Sequence, residues 1–350
     1  MSCFSYTFMT QTTDRNTTID ILKGIAIILV IFAHCIQFGS GSNYLESLSF
    51  FDNQIFKFIY SFHMPLFMLI SGYLFYFTIQ KHQFKYILKS RLKRLLIPII
   101  IWQTIWILLF DYNNPNNYNG LYIFNSYLNT LWFLTSLLIN SLIVLFGNKY
   151  AKDSFLLYST IIIISLFIPN YFGYNLYVFM LPYFLCGYFY NKISAIRFSI
   201  NRINEKIAFF LFIIIFSILL WHYELEDYAY ISGTFIIRKH MISISQFVID
   251  IFRWSIGLIG SISVILLFRI IYKRNKNSSI LRWLSTIGTK TMGLYIISSY
   301  LFNFFQLIPI TNFNYIYIMI EFSFVTLISY LLTCLIEQNK YTKSYLLGGR

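Results

Sequence analysis

Apolar runs, each close to the length of a membrane-spanning helix, recur along this 350-residue chain from Ile21 onward. A helix rises about 1.5 Å per residue and needs about 20 apolar residues to cross a hydrocarbon core of about 30 Å. Only 11% of the residues are charged, against roughly a quarter in soluble domains. Since lipid leaves backbone polar groups no outside partner, such runs must be helical. The sequence therefore predicts an all-α polytopic membrane protein.

We predict about ten transmembrane helices. The fifth and sixth runs have only about 15 residues, or about 22 Å of helix, so they either cross fully or form a re-entrant pair. No cleavage pattern follows the first run, which we expect to remain as a span. The predicted spans are 21–38, 55–78, 95–110, 127–146, 154–168, 176–190, 207–221, 246–268, 291–309 and 315–336.

The net charge of +14 would suggest a nucleic-acid partner in a soluble protein. Here the Lys and Arg residues lie in short segments between apolar runs, so they indicate topology and no nucleic acid is expected. The basic segments alternate with segments that carry the acidic groups. By the positive-inside rule, both termini lie in the cytoplasm, with short tails at about 1–19 and 338–350. We expect a multi-pass protein of the bacterial inner membrane, surrounded by lipid.

The four cysteines are too scattered to form a disulfide or zinc pattern. No metal site and no bound cofactor are expected. They are Cys3, Cys35, Cys186 and Cys334.

Two ionisable residues of the first span are candidates for function, because such residues are costly in lipid. Lys23 and His34 are eleven positions apart, which brings them to within roughly 20° of one helix face and about 16 Å along the axis. A poorly solvated histidine favours the neutral form that a general base requires. Alternatively, His34 bonds a neighbouring helix and Lys23 reaches to the interface. The spacing alone leaves both readings open.

Six sequence blocks resemble the acyltransferase-3 family of integral-membrane O-acyltransferases, including its fucose 4-O-acetylase-like and surface-polysaccharide O-acetyltransferase members. The blocks cover nearly the whole chain in the family's order, which implies one membrane acyltransferase domain over 1–350. They are Arg15–His34, Phe62–Phe75, Arg91–Trp102, Leu131–Leu138, Leu181–Phe189 and Ile287–Tyr300.

The resemblance implies roles for the basic and histidine positions. The family motif is a basic residue, ten positions and a histidine, which makes His34 the catalytic base. Lys23 replaces the usual arginine, which keeps the charge but loses the bidentate fork. Arg91 and Arg94 match an R-x-x-R pair that binds the acyl donor, acetyl-CoA or another acyl-CoA as co-substrate. Either arginine could instead be ordinary positive-inside charge. Asp20 could pair with Lys23 or with a loop arginine.

The second block adds His63 as a second catalytic candidate, which could partner His34, bind the acceptor or cap a kink. Pro65 is expected to kink that helix and free backbone carbonyls. Ser71 and Gly72 would let another helix or a ligand approach closely.

Four further positions of interest lie in the later apolar runs. We interpret Asp250 and Arg253, one turn apart in the eighth run, as a structural pair. Glu321 in the tenth run either has a function or makes an interhelical hydrogen bond. Many relatives carry a histidine where this chain has Ser298, so the acceptor arrangement departs from the family's there.

These features predict a membrane O-acyltransferase. It would move an acyl group, with acetyl expected, from cytoplasmic acyl-CoA to a hydroxyl of a cell-surface or lipid-linked sugar. Glycan-assembly proteins are possible further partners. The alternative is a proton-coupled transporter or flippase of a glycan precursor, with His34, His63 and Glu321 as a proton pathway. A membrane glycosyltransferase is disfavoured, because the longest outer loop, about 222–245, is modest.

Overall fold

The fold is a bundle of α-helices with a single two-stranded hairpin among the residues described. The computed structural model describes residues 16–38, 45–111, 120–194, 204–238, 241–306 and 313–349. The first half contains α1 (Thr17–Phe38), α2 (Gln54–Lys81), α3 (Phe84–Arg91), α4 (Ile97–Trp106), α5 (Gly120–Asn129), α6 (Trp132–Ala151) and α7 (Phe155–Ser165). The second half contains α8 (Tyr174–Ser194), α9 (Glu205–Trp221), α10 (Ala229–Ser232), β1 (Ile237–Arg238), β2 (Met241–Ile242), α11 (Ile244–Arg274), α12 (Ser279–Gly288), α13 (Thr291–Gln306), α14 (Tyr315–Gln338) and α15 (Lys340–Leu346).

Each of the ten predicted runs overlaps one of these helices, and the prediction of an all-α membrane protein is confirmed. Within the described residues, six helical stretches are long and apolar enough to cross a membrane. The number of crossings and the side of each terminus remain predictions. The six stretches are Thr17–Phe38, Gln54–Lys81, Phe84–Phe110, Trp132–Ala151, Ile244–Arg274 and Tyr315–Gln338.

Several predicted boundaries were wrong. The fourth run, predicted as 127–146, is divided between the end of α5 and α6, which starts only at Trp132. The fifth and sixth runs are not matched in length, because α7 has 11 residues and α8 has 21. At about 1.5 Å per residue, α7 is about 16 Å long and α8 about 31 Å. Of these two helices, only α8 has the length of a full crossing.

Glycines bring the central helices into backbone contact. A Cβ at Gly24 of α1 would lie 2.0 Å from the carbonyl oxygen of Leu284 in α12. Likewise, a Cβ at Gly72 of α2 would lie 2.0 Å from the carbonyl oxygen of Phe184 in α8. The predicted close approach at Gly72 is thus confirmed as helix packing of the small-residue kind. Since α1 and α2 also pack on each other, they form the centre of the bundle.

A π-helical turn, Leu92–Leu96, joins α3 to α4. Its backbone N–H at Ile97 bonds the carbonyl of Leu92, five residues back. The C-terminal segment packs against this region: the Trp102 indole Nε1 donates to the Leu346 carbonyl over 2.8 Å. Residues 340–349 are therefore an ordered part of the bundle.

The connection between α9 and α11, which we call the 222–243 loop, has its own local structure within its described residues, 222–238 and 241–243. A 3-10 turn, Leu225–Asp227, is closed by a capping box in which the Asp227 carboxylate accepts from the Glu224 N–H over 2.9 Å. Two rings of this loop, Tyr223 and Tyr228, are buried against Phe51, just before α2. The loop thereby closes one end of the bundle.

Candidate active site

A cavity of about 530 Å³ lies at the end of the bundle that the 222–243 loop closes. Small-molecule sites typically have about 300–1,000 Å³. Its walls come from α1, α2, α4, α6, α8, α11, α13, the segment just before α2 and the loop, and we call it the large cavity. Side chains that define its polar and aromatic surface include His34, Gln37, Tyr60, His63, Trp106, Trp132, Tyr223, Asp227, Tyr228, Tyr230, Arg253, Tyr295, Ser298 and Asn303.

His34 lies in the wall of the large cavity and is held through one ring nitrogen. The Tyr60 hydroxyl donates to Gln37 Oε1 over 2.9 Å and lies 3.1 Å from His34 Nδ1. His34 Nδ1 is 3.3 Å from the same Gln37 oxygen. An amide oxygen only accepts, so this arrangement fits a proton on Nδ1 and a lone pair on Nε2. The second nitrogen is then the one with base character.

His63 lines the same cavity from α2. Its Nδ1 donates to the Ile59 carbonyl over 2.8 Å, which again leaves the lone pair on Nε2. Its ring centroid is 4.7 Å from that of Tyr60, which in turn lies 5.9 Å from that of His34. The two histidines therefore share one cavity, with Tyr60 between them. Pro65, two residues further along α2, lines the same cavity, and the helix continues to Lys81.

A second cavity, of about 240 Å³, lies beside the other end of α1. We call it the small cavity. Lys23, Ser71 and Arg91 line it, together with Thr291 at the N-terminus of α13. The Lys23 ammonium is 4.0 Å from the Asp20 carboxylate, so one of the two predicted Asp20 pairings is present. The Arg91 guanidinium stacks over the Phe75 ring at 4.5 Å. Two cations and a helix N-terminus favour an anion here.

Three residues belong to the walls of both cavities. Val30, Met64 and Tyr295 line the large cavity on one side and the small cavity on the other. The two cavities therefore adjoin through these three side chains. This adjacency is what the eleven-residue spacing between Lys23 and His34 produces.

Not every predicted residue lies at a cavity. Arg94 is in neither lining. The π-helical turn has more residues per turn than an α-helix, so three positions rotate through a smaller angle and Arg94 leaves the face of Arg91. Glu321 lines neither cavity, and both of its carboxylate oxygens are buried without a hydrogen-bond partner among the described residues. Its predicted interhelical hydrogen bond is not found there.

The contribution of α11 and the 222–243 loop to the large cavity was not predicted from the sequence. The predicted Asp250–Arg253 ion pair forms, at 3.0 Å, but Arg253 also lines the large cavity. The loop adds Asp227, and burial raises the pKa of its carboxyl group. Tyr228 of the same loop is buried too. The run of acidic and tyrosine residues at 223–230 was the available signal.

Ser298 lines the large cavity and is 1% exposed. Its hydroxyl donates to the Tyr295 carbonyl of the same helix over 3.1 Å. The position where many relatives carry a histidine therefore faces the same space as His34. In this chain it offers a small, internally bonded hydroxyl instead.

Comparison with known proteins agrees with the sequence resemblance. Residues 16–337 match the model of a family described as "Acyltransferase domain". Nodulation protein NolL of Sinorhizobium fredii is 32% identical over 182 residues, covering 51% of this chain and 49% of that protein. Nodulation protein NolL of Mesorhizobium japonicum is 42% identical over 98 residues, covering 28% and 26%. The chain thus spans at most about half the length of these relatives. No solved structure matches significantly.

Proposed function

This chain belongs to the acyltransferase-3 family, and on that premise we propose that it transfers an acyl group, with acetyl expected, from acyl-CoA to a hydroxyl of a cell-surface or lipid-linked sugar. The family match covers residues 16–337, and membership in it accounts for the enzyme class. The donor, the acceptor and the residue roles below are our proposal. The two adjoining cavities are the observation that carries it.

The small cavity suits the donor. Acyl-CoA bears several phosphate charges, and the cations that line this cavity are Lys23 and Arg91. Phosphate oxygens accept strong, charge-assisted hydrogen bonds from such groups. With the phosphates held there, the thioester arm extends past Met64 toward the large cavity. Arg94, one turn away, would then either contact the phosphates from outside the cavity or only add to the positive potential around them.

The large cavity suits the acceptor and the chemistry. Gln37 and Tyr60 hold Nδ1 of His34, so Nε2 is available to take the proton of a sugar hydroxyl. The hydroxyl oxygen attacks the thioester carbonyl carbon, and a C–O bond forms as the C–S bond breaks. The departing CoA sulfur takes up the proton from the His34 imidazolium, so the products are the sugar ester and free CoA. Direct transfer of this kind needs no nucleophile from the protein.

The proposed orientation puts Lys23 and Arg91 at the cytoplasmic side, where acyl-CoA is found, and both termini on that side. The distribution of Lys and Arg supports it. A single cysteine at Arg94 should react with a membrane-impermeant maleimide only in inside-out vesicles. Labelling only in right-side-out vesicles would contradict the donor arrangement.

Two experiments test the function itself. Purified protein in lipid nanodiscs, given [¹⁴C]acetyl-CoA and a glycan extract of its host, should release CoA and transfer label to the glycan. Deletion of the gene should remove one ester from the host's surface glycans, as seen by mass spectrometry. Unchanged glycans in the deletion strain, together with no label transfer in vitro, would overturn the proposal.

A further inference from the structure

The end of the large cavity beneath the 222–243 loop contains a buried arginine that makes its hydrogen bonds through only one of its three side-chain nitrogens. Arg253 is 1% exposed. Its contacts with Ser232 Oγ at 2.7 Å, the Gly233 carbonyl at 2.6 Å and Asp250 Oδ1 at 3.0 Å all involve Nη2. Nε and Nη1 have no hydrogen-bond partner among the described residues. A buried N–H without a partner is costly, so a ligand oxygen is expected at this position.

Asp227 supplies the complementary group. It lines the same cavity, and one of its carboxylate oxygens, Oδ2, is occupied by the Glu224 N–H. The other oxygen remains to accept from a ligand hydroxyl. Arg253 and Asp227 together thus offer donors and an acceptor, which is what a sugar hydroxyl, both donor and acceptor, requires.

Aromatic rings connect this polar pair to the catalytic histidine. The Tyr228 ring is 5.5 Å from that of Tyr60 and 5.1 Å from that of Tyr230, which is 6.1 Å from Trp132. Tyr60 contacts His34. A continuous aromatic wall therefore extends from the base to the loop. The flat C–H face of a pyranose packs well on such rings, and a few placed polar groups then fix its orientation.

Charge decides which sugars fit. Asp227 and Arg253 are the charged side chains in the described lining of the large cavity, besides its two histidines. Arg253 is already paired with Asp250, so the pair and Asp227 together carry no surplus positive charge. A carboxylate or phosphate on the sugar would enter without a cation to neutralise it, at a high cost in a buried site.

We propose that Asp227, Arg253 and the Tyr228 ring form the acceptor subsite, and that it binds an uncharged pyranose. This inference rests on the proposed function, since it identifies the acceptor of that reaction. The sugar lies on the aromatic wall, its hydroxyls bond Asp227 and Arg253, and its reactive hydroxyl points toward His34.

Binding can be measured without turnover. We would record saturation-transfer NMR on the wild-type protein in nanodiscs with methyl glucoside, methyl galactoside, methyl fucoside and methyl glucuronide. At least one neutral glycoside should bind, and the glucuronide should not. If no neutral glycoside binds at the highest soluble concentration, or if the glucuronide binds equally well, the proposal is wrong.

Matched variants locate the subsite. Asp227→Asn keeps an oxygen for the Glu224 N–H but removes the charge, and exposed Glu226→Gln is its control one position away. Arg253→Lys keeps a charge beside Asp250 but removes Nε and Nη1. Each site variant should weaken neutral-glycoside binding about tenfold or more, the effect of one charge-assisted hydrogen bond, while Glu226→Gln binds as wild type. Equal binding by Asp227→Asn and Glu226→Gln would overturn the assignment.

A second pair tests the aromatic wall. Tyr228→Leu should lose the same binding, whereas Tyr171→Leu, at a ring 66% exposed and outside the cavity lining, should keep it. Unaltered gel-filtration profiles show that each variant is folded. His34→Ala should still bind the neutral glycoside, with a smaller loss than the subsite variants, because Asp227, Arg253 and Tyr228 are intact. If that variant still transferred acyl groups, the proposed mechanism would fail while the subsite assignment stood.

Discussion

The small and large cavities share three wall residues but differ in their charged groups. The small cavity presents Lys23 and Arg91 beside a helix N-terminus, a surface for an anion. The large cavity contains Asp227 and Arg253, which is already paired with Asp250, and surrounds two histidines with aromatic rings. A highly charged donor and an uncharged acceptor would therefore bind in different cavities without any conformational change of the protein.

The same two helices build both cavities, and their antiparallel course explains how. Lys23 precedes His34 by eleven residues in α1, and Ser71 follows His63 by eight in α2. These spacings are about 16 Å and 12 Å along the helix axes. One end of the helix pair thus carries Lys23 and Ser71, and the other carries the two histidines. The reaction we propose takes place between these two ends, where the two cavities adjoin near Met64.

The largest effect should come from substituting the proposed base, His34, which lines only the large cavity. His34→Ala should lower sugar acylation by about 10²–10⁴-fold, because the hydroxyl must attack without losing its proton. Binding of acyl-CoA should persist, since the cations are about 16 Å away along the helix. The measurement is label transfer from [¹⁴C]acetyl-CoA beside equilibrium binding of CoA.

His34→Gln separates a base from a structural hydrogen bond. Glutamine can still bond Tyr60 but cannot take up a proton near neutral pH, so this variant should be as inactive as His34→Ala. Near-normal ester formation by well-expressed His34→Gln would return His34 to a purely structural role.

A substitution at the boundary between the cavities should have the next largest effect on acyl transfer. Met64→Trp should lower transfer by about 100-fold, the scale on which displaced reactants lose rate, because a bulky ring would separate thioester and hydroxyl. Each cavity should still bind its own ligand. Met64→Leu, similar in volume, is the control and should remain close to wild type. Full activity of Met64→Trp would show that the substrates do not meet there.

Substitutions of the cationic residues in the small cavity should change only the affinity for the acyl donor. Lys23→Ala and Arg91→Ala should each weaken CoA binding about 10- to 100-fold, the range for hydrogen bonds to charged groups, and Lys23→Arg should be tolerated. Arg94→Ala should change binding less than about threefold, because that side chain lies outside the cavity lining. Isothermal titration with CoA measures all four. An Arg94→Ala effect as large as that of Arg91→Ala would refute the distinction.

The sequence predicted most of the fold, because length and hydropathy determine where helices can cross lipid. The family and enzyme class it indicated are confirmed by the match to residues 16–337. The break between α5 and α6 was missed, because the predicted run continued across Asn129 and Thr130, the polar residues at which α5 ends. The π-helical turn at Leu92–Leu96 was equally invisible, although it decides which arginine faces the small cavity.

The site was less predictable than the fold. Periodicity could place Lys23 and His34 on one face, because both lie in one regular helix. It could not show that the 222–243 loop covers that face, since a loop has no period from which to infer its position. Arg253 was interpreted as a structural partner of Asp250 for a related reason: the i,i+3 spacing explains one contact of a side chain and leaves its other nitrogens unassigned.

Ser298 provides the smallest and most discriminating test of the large cavity. Relatives with a histidine there could divide the proton transfers between two groups, whereas our mechanism assigns both to His34. The Ser298 hydroxyl already donates to the Tyr295 carbonyl one turn back, and a hydroxyl bonded within its own helix has no proton to give the substrate. Ser298→Ala should therefore change the rate of acyl transfer by less than about threefold, within the range expected when one neutral hydrogen bond is lost. Ser298→Thr, which keeps the hydroxyl and adds a methyl group to the cavity wall, distinguishes chemistry from space. If the alanine variant lost about 100-fold in rate while the threonine variant kept it, the hydroxyl would have to take part in the reaction, and His34 could not be the sole acid–base group of the large cavity.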